Sequence, residues 1–457
     1  MNRRHFVFSV ALLAAALLAA VPPAGAEESL FQARRAAVIA RIGTDIAVIP
    51  AQISDLRGVQ DDKDFYYLTG LAGERDAVLV LTGQGESKEI LFTRSGKWTG
   101  TGEPGSLEAR PLANLRMVLF SPGPERKIYL PFSGLEGTLQ ALGGGVGVSR
   151  AAGLLPLEPI TAPLRIVKSP QEIAVIRKAI AVTVEAYTSA LGAVHPGLTE
   201  DDLNALIQFT DLRRGGTSSF TQVASGPNSV NIHFESTARV IKAGDLIVFD
   251  LGAWLDRYTS DLSRTIPVDG RFTKEQAALY AVVLRAQKEA IALMTPGHTA
   301  IEPTRAAEAA LVRGLHDLGL VTDPASPLQK RFWIQHGFCH GIGLDIHDVY
   351  GWWGPRMETV PLQPGMVLTM EPGLYFPQDR LEQFGSRLRK GEEEEWKAFA
   401  AAVAPVYAKY AGMGCRIEDD VLVGEKGNEV LTAAAPKEIR DIEAAMKRPS
   451  PFDKVFK

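Results

Sequence analysis

Cysteine is almost absent from this chain of 457 residues, which has only Cys339 and Cys415. Two thiols cannot supply the four ligands of a sulfur-rich tetrahedral zinc site, so that kind of site is excluded. They also exclude the disulfide framework on which many small secreted domains depend. We interpret both residues as buried free thiols, with a single disulfide between them as the alternative.

An excess of charge of either sign is also missing. The formal net charge is −4, and acidic and basic residues are mixed along the chain. Proteins that bind nucleic acid or anionic membrane surfaces usually carry a strongly basic patch, so we expect neither partner. Hydrophobic residues make up 46% of the chain, which is ordinary for a globular protein, and the length is sufficient for two domains.

Long apolar runs are missing except at the amino terminus. There, Arg3 and Arg4 precede an apolar stretch at residues 6–21, and Ala24-Gly25-Ala26 follows it. The stretch is shorter than the ~20 residues of a spanning helix, and the arrangement is typical of a secretory signal. Residues 2–7 resemble a twin-arginine export signal. We predict that residues 1–26 are cleaved and that the protein is periplasmic or secreted in a bacterium, without stable membrane insertion.

Phosphate-binding loops are missing as well. The glycine-rich residues 95–105 and 143–145 do not follow a strand with the required spacing, so we interpret them as surface turns. Apolar strand patterns alternate with helical patterns over residues 27–163, which predicts a small α/β domain. We expect a helix at residues 30–42 and strands at residues 46–49, 65–68, 77–81, 89–92 and 127–130.

The pattern changes near residue 163. Ser169, Pro170 and Glu172 have the spacing of a capping box with proline at the first helical position, which predicts a helix to about residue 191. Thr199 predicts the start of a second helix, which continues through residues 201–213. Two further helices are expected at residues 273–294 and 300–318. The predicted fold class is α+β, with residues 164–449 as the second domain.

Four acidic residues lie in or at the ends of apolar, strand-like segments of this second domain: Asp250, Asp261, Glu371 and Glu418. An ionised carboxylate in apolar surroundings is costly unless it is paired or bound to a metal. Taken alone, an aspartate in a strand is more often a hydrogen-bonded structural residue, which is the alternative for Asp250 and Asp261.

Histidine is concentrated in one place: His336, His340 and His347 are three of only eight in the chain. Imidazole is a common metal ligand and acid–base group. The alternative is a glycine-rich loop with exposed histidines. Four carboxylates and one histidine together suit a pair of hard or borderline divalent ions.

The order Asp, Asp, His, Glu, Glu resembles the pita-bread metallopeptidases, and among them the Xaa-Pro aminopeptidase (aminopeptidase P) and prolidase subfamily. The motifs that carry this resemblance are Asp250-Leu251-Gly252, Thr259-Ser260-Asp261, His336-Gly337-x-x-His340-Gly341-x-Gly343, Glu371-Pro372-Gly373 and Arg416-Ile417-Glu418-Asp419. The resemblance spans about residues 165–447. It is more diffuse before them, where residues 64–70 resemble a segment of that subfamily.

The resemblance implies a role for each ligand. Asp250 would bind one metal ion, His340 and Glu371 the other, and Asp261 and Glu418 would bridge the two. Glu371 would also be the acid–base group. Manganese is the expected metal, although the ligands would accept cobalt or zinc.

The resemblance also implies that His233, His336, His347 and Arg416 lie on the substrate side of the metals or support them. The implied activity is that of an exported dinuclear aminopeptidase. A metal-bridging hydroxide would hydrolyse the bond between an amino-terminal residue and a following proline. The implied partners are peptides with proline in second position and further copies of the chain, as a dimer or tetramer.

Three other functions are alternatives to an aminopeptidase. The nearest is a prolidase restricted to Xaa-Pro dipeptides. A metal-free peptide-binding module and a metal-independent creatine-type hydrolase of the same fold are disfavoured, because neither would need all five ligand positions.

Residues 380–411 form an acidic, amphipathic stretch between two ligand-bearing segments. Its apolar residues recur at helical spacing, namely Trp396, Phe399, Val403, Val406, Tyr407 and Tyr410. We predict a helical insert that either narrows the active-site cleft as a flap or packs on the outer face of the domain.

Overall fold

The computed structural model describes residues 26–55, 58–85, 88–98, 107–119, 126–131, 153–450 and 452. The predicted leader, apart from Ala26, and the Gly143-Gly144-Gly145 cluster lie outside these residues. Within them, no helix is long and apolar enough to cross a membrane. The chain divides into two compact units, Met1–Thr161 and Ala162–Lys457.

The first unit is built on one mixed sheet. Its helices are α1 (Ala26–Ile42), α2 (Lys63–Thr69) and α3 (Leu115–Leu119), and α4 (Glu158–Arg165) crosses the division between the units. Its strands are β1 (Ile46–Pro50), β2 (Gln52–Asp55), β3 (Gly58–Asp61), β4 (Val78–Thr82), β5 (Glu89–Thr93), β6 (Glu108–Pro111), β7 (Ile128–Leu130) and β8 (Leu154–Pro156). Six strands form a sheet in the order β6-β5-β4-β1-β7-β8. Strands β1, β4 and β5 are buried throughout, which fits central strands covered on both faces.

One predicted strand is wrong. Residues 65–68 belong to helix α2, although their aromatic side chains favour a strand. The helix is fixed at both ends, since the Asp62 carboxylate accepts a hydrogen bond from Phe65 N at 2.8 Å and Gly70 adopts a φ of 72°. These two capping signals outweigh the strand preference of the residues between them. The other predicted strands and the first helix are confirmed, with ends shifted by a few residues.

The second unit combines small antiparallel sheets with long helices. Its helices are α5 (Pro170–Ala193), α6 (Glu200–Arg213), α7 (Lys274–Ile291), α8 (Ile301–Asp317), α9 (Pro327–Trp333), α10 (Tyr350–Trp353), α11 (Arg380–Gly385), α12 (Glu393–Tyr407) and α13 (Ile439–Ala445). Its strands are β9 (Thr217–Ser225), β10 (Leu246–Leu255), β11 (Tyr258–Thr259), β12 (Leu262–Pro267), β13 (Val367–Met370), β14 (Gly373–Tyr375), β15 (Gly414–Arg416), β16 (Asp419–Val423) and β17 (Asn428–Val430).

Strand β10 lies at the centre of the largest sheet of this unit, paired with β9, β11 and β12. Separate sheets join β13, β16 and β17, and β14 and β15. The capping box predicted at Ser169 and the cap predicted at Thr199 are both present, so the starts of α5 and α6 are confirmed. Cys339 and Cys415 are free and buried, as predicted.

The insert at residues 380–411 contains helices α11 and α12. The apolar stripe of α12 is buried, with Phe399 2% exposed and Val403 fully covered. Phe332 of α9 is the centre of the contact, since its ring lies 5.3 Å from Trp396 and 5.6 Å from Phe399 between centroids. The predicted helical insert is therefore confirmed and packs on the core of its own unit, whereas its effect on the cleft stays a prediction.

Candidate metal centre

Two sheets of the second unit deliver the four acidic residues. Asp250 lies in β10 and Asp261 directly precedes β12, the antiparallel partner of β10. Glu371 directly follows β13, and Glu418 directly precedes β16, the antiparallel partner of β13. The acidic residues predicted from the sequence therefore lie in two pairs of antiparallel strands, although the two pairs are far apart in the sequence.

The histidine loop is fastened to β13. Thr369 N donates to the backbone carbonyl of His340 at 2.9 Å, and Glu371 N donates to Phe338 O at 3.0 Å. A side chain at Gly341 would place its Cβ 2.8 Å from the carbonyl oxygen of Asp348, so only glycine fits at this close approach. These contacts set His340 beside the carboxylates.

The ligand cluster, as we call Asp261, His340, Glu371 and Glu418, is tight, with Glu371 partly buried and the other three buried. One ligand atom from each of Asp261, His340 and Glu418 lies within 4.8 Å of the other two. The Nε2 atom of His340 is 3.3 Å from Glu371 Oε1, 3.6 Å from Asp261 Oδ2 and 3.9 Å from Glu418 Oε1. One imidazole nitrogen therefore faces three carboxylates.

Electrostatics at the ligand cluster strongly favours a cation. Burial, followed by repulsion from neighbouring carboxylates, raises the pKa of Asp261 and of Glu418 well above their usual values. Burial also raises the pKa of Glu371 to about 8 and lowers the pKa of His340 to about 4, so His340 is neutral at ordinary pH. Asp261 Oδ1 and Glu418 Oε1 have no hydrogen-bond partner among the described residues. Buried oxygens without partners, on carboxylates that repel one another, fit a divalent cation.

Asp250 is placed differently from the ligand cluster. Its carboxylate forms a buried ion pair with the Arg416 guanidinium and accepts a hydrogen bond from Ser263 Oγ at 2.6 Å. The same Ser263 hydroxyl lies 2.8 Å from Glu418 Oε2. The Ser263 hydroxyl thus lies between the carboxylates of Asp250, from the first sheet, and Glu418, from the second.

Arg416 also connects the centre to His336 through a tyrosine. Arg416 Nη1 donates to the Tyr375 hydroxyl at 2.9 Å, and that hydroxyl lies 3.1 Å from His336 Nε2. His336 Nδ1 is 2.6 Å from the carbonyl of Gly337, so Nδ1 carries the proton and Nε2 accepts from tyrosine. Burial and, second, Arg416 lower the pKa of His336 to about 3, which keeps the ring neutral.

The remaining predicted histidines lie around the same centre. The His347 ring is edge-on to His340 with 4.3 Å between centroids, and burial, followed by His340, lowers the pKa of His347 to about 4. His233 is exposed, yet it is close enough to contribute to the lowered pKa values of His336 and His347. The structure therefore brings together every residue that the sequence analysis proposed for the site.

Two residues with direct contacts in the site escaped the sequence analysis. Ser263 lies two positions from Asp261, so the two-residue period of a strand could have indicated that it shares the same face. Nothing in the sequence marked Tyr375, because its contacts with Arg416 and His336 arise from strand pairing between β14 and β15.

Buried aspartate, glutamate and histidine side chains around a cation-favouring centre define a metal-dependent hydrolase as the class of protein. The model of metallopeptidase family M24 matches residues 174–425. The Xaa-Pro aminopeptidase of Escherichia coli is 31% identical over 455 residues, covering 91% of this chain and 97% of that protein. The Xaa-Pro aminopeptidase of Haemophilus influenzae is 30% identical, covering 91% and 96%.

Solved structures agree with these relatives. Aminopeptidase P from Escherichia coli with the inhibitor Pro-Leu superposes with a TM-score of 0.74 at 30% identity, covering 92% of this chain and 98% of that one. The Pseudomonas aeruginosa aminopeptidase PepP gives a TM-score of 0.73 at 29% identity, covering 93% and 98%. The chain therefore belongs to metallopeptidase family M24, in its Xaa-Pro aminopeptidase branch, and its second unit has the pita-bread fold predicted from the sequence.

Proposed function

We propose that this enzyme removes the amino-terminal residue from peptides in which proline is the second residue. The observation that carries the proposal is the ligand cluster, in which the buried carboxylates of Asp261 and Glu418 and the partly buried carboxylate of Glu371 surround one neutral imidazole. The names of the relatives supply the substrate class, since the Escherichia coli protein is an Xaa-Pro aminopeptidase.

Two divalent ions would be held by Asp250, Asp261, His340, Glu371 and Glu418. As the resemblance to the family implies, Asp261 and Glu418 would serve both ions, and the support is that each is buried and has an oxygen without a hydrogen-bond partner among the described residues. When bound, the ions supply a hydroxide nucleophile at neutral pH and polarise the carbonyl of the Xaa-Pro bond. We propose manganese as the metal, with cobalt or zinc as ions that the same ligands would accept.

Glu371 is the residue that would handle the proton of the attacking water. Its carboxylate lies 3.3 Å from His340 and 3.8 Å from His336, at the side of the ligand cluster that His336 faces. Without the positive charge of bound metal ions, this carboxyl would have a pKa of about 8. Its affinity for a proton therefore depends on whether metal ions are bound.

Neutral imidazoles would serve the substrate. His336 has its Nε2 bonded to Tyr375, and the Arg416 guanidinium stands behind that pair. A neutral histidine with a free ring N–H can donate a hydrogen bond to a developing oxyanion or to the departing proline nitrogen. We assign a substrate-side role to His233, His336 and His347, in which His336 acts through its bonds to Gly337 O and the Tyr375 hydroxyl rather than as a donor.

Export and self-association complete the proposal. Residues 1–26 would act as a cleaved signal, which would place the enzyme in the periplasm or outside a bacterial cell. We also propose that it is a homodimer or homotetramer, which light scattering on the purified protein would test.

Cleavage assays with and without a chelator test the main proposal. Purified enzyme is given an Xaa-Pro dipeptide, an Xaa-Pro tripeptide and a longer Xaa-Pro peptide. Cleavage of the tripeptide and the longer peptide, abolished by chelator and restored by manganese, is the expected result. Activity on the dipeptide alone would indicate a prolidase, and full activity after complete metal removal would overturn the metal-dependent mechanism.

A further inference from the structure

Gln222 is a buried polar residue in the middle of β9, directly opposite a proposed metal ligand. It pairs with Asp250 of β10, so the two side chains lie on the same face of the sheet. The residues that follow it, Val223 and Ala224, are fully buried, and Gln222 itself is only 3% exposed. An amide at such a position is costly unless both of its ends are hydrogen-bonded.

Both ends of this amide bind the segment that carries His233. Gln222 Oε1 accepts from Phe234 N at 2.8 Å, and Gln222 Nε2 donates to Asn231 O at 3.4 Å. The two bonds lie on either side of His233 in the sequence. Gln222 therefore binds the backbone on both sides of His233, and neither hydrogen bond involves the imidazole ring.

Other buried groups fasten the same segment. Arg416 Nη1 donates to Ile232 O at 3.1 Å, and Ser236 Oγ accepts from Val223 N at 3.0 Å. The Glu200 carboxylate, fully buried, accepts from Thr237 N at 3.2 Å and from Thr237 Oγ1 at 2.8 Å. The backbone is thus held before and after His233, while the His233 side chain itself is exposed.

We propose that Gln222 is a positioning residue for the reaction, which holds the backbone around His233 so that its imidazole stays at the substrate side of the ligand cluster. The inference rests on the proposed function, because it takes His233 to serve the substrate. Gln222 does not touch the reacting atoms. Its effect passes through a neighbouring group, and displacements of about 1 Å in such a group can cost up to about 100-fold in rate.

The first experiment tests whether the two hydrogen bonds of Gln222 hold the backbone around His233, an arrangement that we call the clamp. Gln222→Met keeps the length of the side chain and removes both hydrogen bonds. Gln329→Met is the matched control, because Gln329 is equally buried and its Oε1 accepts from Thr322 N and Asp323 N in a different loop. Hydrogen exchange of peptides covering residues 231–236 should become at least about tenfold faster in Gln222→Met and stay unchanged in Gln329→Met, with metal content intact in both. Unchanged exchange in Gln222→Met would overturn the clamp.

The second experiment tests whether the clamp acts through His233. We expect Gln222→Met to lower kcat on an Xaa-Pro tripeptide by about tenfold, with little change in KM. In a His233→Ala background the same substitution should lower kcat by less than about twofold, because its target is gone. An equal loss in both backgrounds would overturn the positioning role and indicate a general structural effect.

The two proposals fail in different ways. A large loss in His233→Ala with none in Gln222→Met would overturn the positioning role alone. Full turnover in His233→Ala would refute the role assigned to His233 under the proposed function, and the positioning role would fall with it, whereas the cleavage assays would still decide the activity.

Discussion

Glu418 and Asp419 are neighbours in the sequence, yet their side chains lie in opposite electrostatic surroundings. Both are buried, with Glu418 2% exposed and Asp419 fully covered. Successive residues of an extended chain point to opposite sides, so one side chain enters the ligand cluster and the other enters the core behind it. Glu418 has one oxygen without a hydrogen-bond partner among the described residues, and its pKa is raised well above its usual value by burial and by Glu371 and Asp250.

Asp419, in contrast, is enclosed by donors. Its carboxylate is 2.7 Å from Arg264 Nη2, 2.7 Å from Thr432 Oγ1 and 3.0 Å from Gln287 Nε2, and it is also paired with Lys437. Burial alone would raise its pKa, but Arg264 and Lys437 lower it. For these two neighbours the difference teaches that Asp419, enclosed by its own cations, is structural, whereas Glu418, which has an unpartnered oxygen, fits a cation from outside the chain.

Substitution of Glu418 should have the largest effect on activity and none on folding. Glu418→Gln removes a bridging ligand, so we expect metal loss and a fall in turnover of about 1,000-fold or more. The metal-free variant should be at least as stable as metal-free wild type, because repulsion within the ligand cluster is reduced. Elemental analysis, peptide cleavage and thermal unfolding with chelator measure these effects, with the exposed Glu425→Gln as the control. Full metal content in Glu418→Gln would contradict the assignment.

Substitution of Asp419, in contrast, should lower the stability of the fold. Asp419→Asn leaves the buried Arg264 and the partly buried Lys437 without their counter-charge, which we expect to lower the free energy of unfolding by about 3–5 kcal/mol. Denaturant unfolding measures it. Glu438→Gln, which breaks the exposed ion pair with Lys288, should cost only about 0–1 kcal/mol. If Asp419→Asn were as stable as wild type, the contrast between the two acids would not hold.

His336 and His347 lie beside the metal centre but are not expected to bind metal. His336→Ala and His347→Ala should each keep both metals and lose about 100-fold in turnover, because each removes a positioned proton-transfer or hydrogen-bonding group. His316→Ala, an exposed histidine near the end of α8, should change neither property. Loss of metal in His336→Ala would move that residue into the ligand set.

The smallest effect concerns the pH dependence of stability without metal. The folded pKa of Glu371, about 8, lies above its ordinary value, so the stability contributed by its protonated form is full below about pH 4.5 and is lost as pH rises through 8. Metal-free wild type should therefore lose stability relative to metal-free Glu371→Gln between those pH values. Parallel curves for the two proteins, from chemical unfolding at a series of pH values, would contradict the raised pKa.

Local signals in the sequence predicted the long helices of the second unit well where a serine or threonine cap was present. Ser169, Thr199 and Thr273 each cap a helix, because hydroxyl side chains at these positions bond to the first free backbone amides. The pattern failed at residues 65–68, where strand-favouring aromatic residues lie between two caps. The ligands were predictable because carboxylates inside apolar segments stand out.

Contacts across long sequence separations were not predictable. Ser263, Tyr375 and Gln222 are ordinary residues in their own segments, and only the pairing of β10 with β9 and β12, and of β14 with β15, brings them to the site. The strong pairing of Asp419 with Arg264 was hidden for the same reason, since no spacing rule links residues from such distant strands.

Arg264 has a further consequence for how the centre is assembled. Its guanidinium, fully buried, donates to the backbone carbonyls of Ser263, Glu418, Ala435 and Pro436 as well as to Asp419, so every one of its donors has a permanent acceptor within the chain. The spacing of the strands that present the ligands is therefore set during folding rather than by the ion. Little of the binding energy of the metal is then consumed in ordering the chain, unlike in small domains that fold only around zinc. Competing ions would meet a cavity of the same dimensions, and selection among them would depend on ionic radius and preferred coordination number.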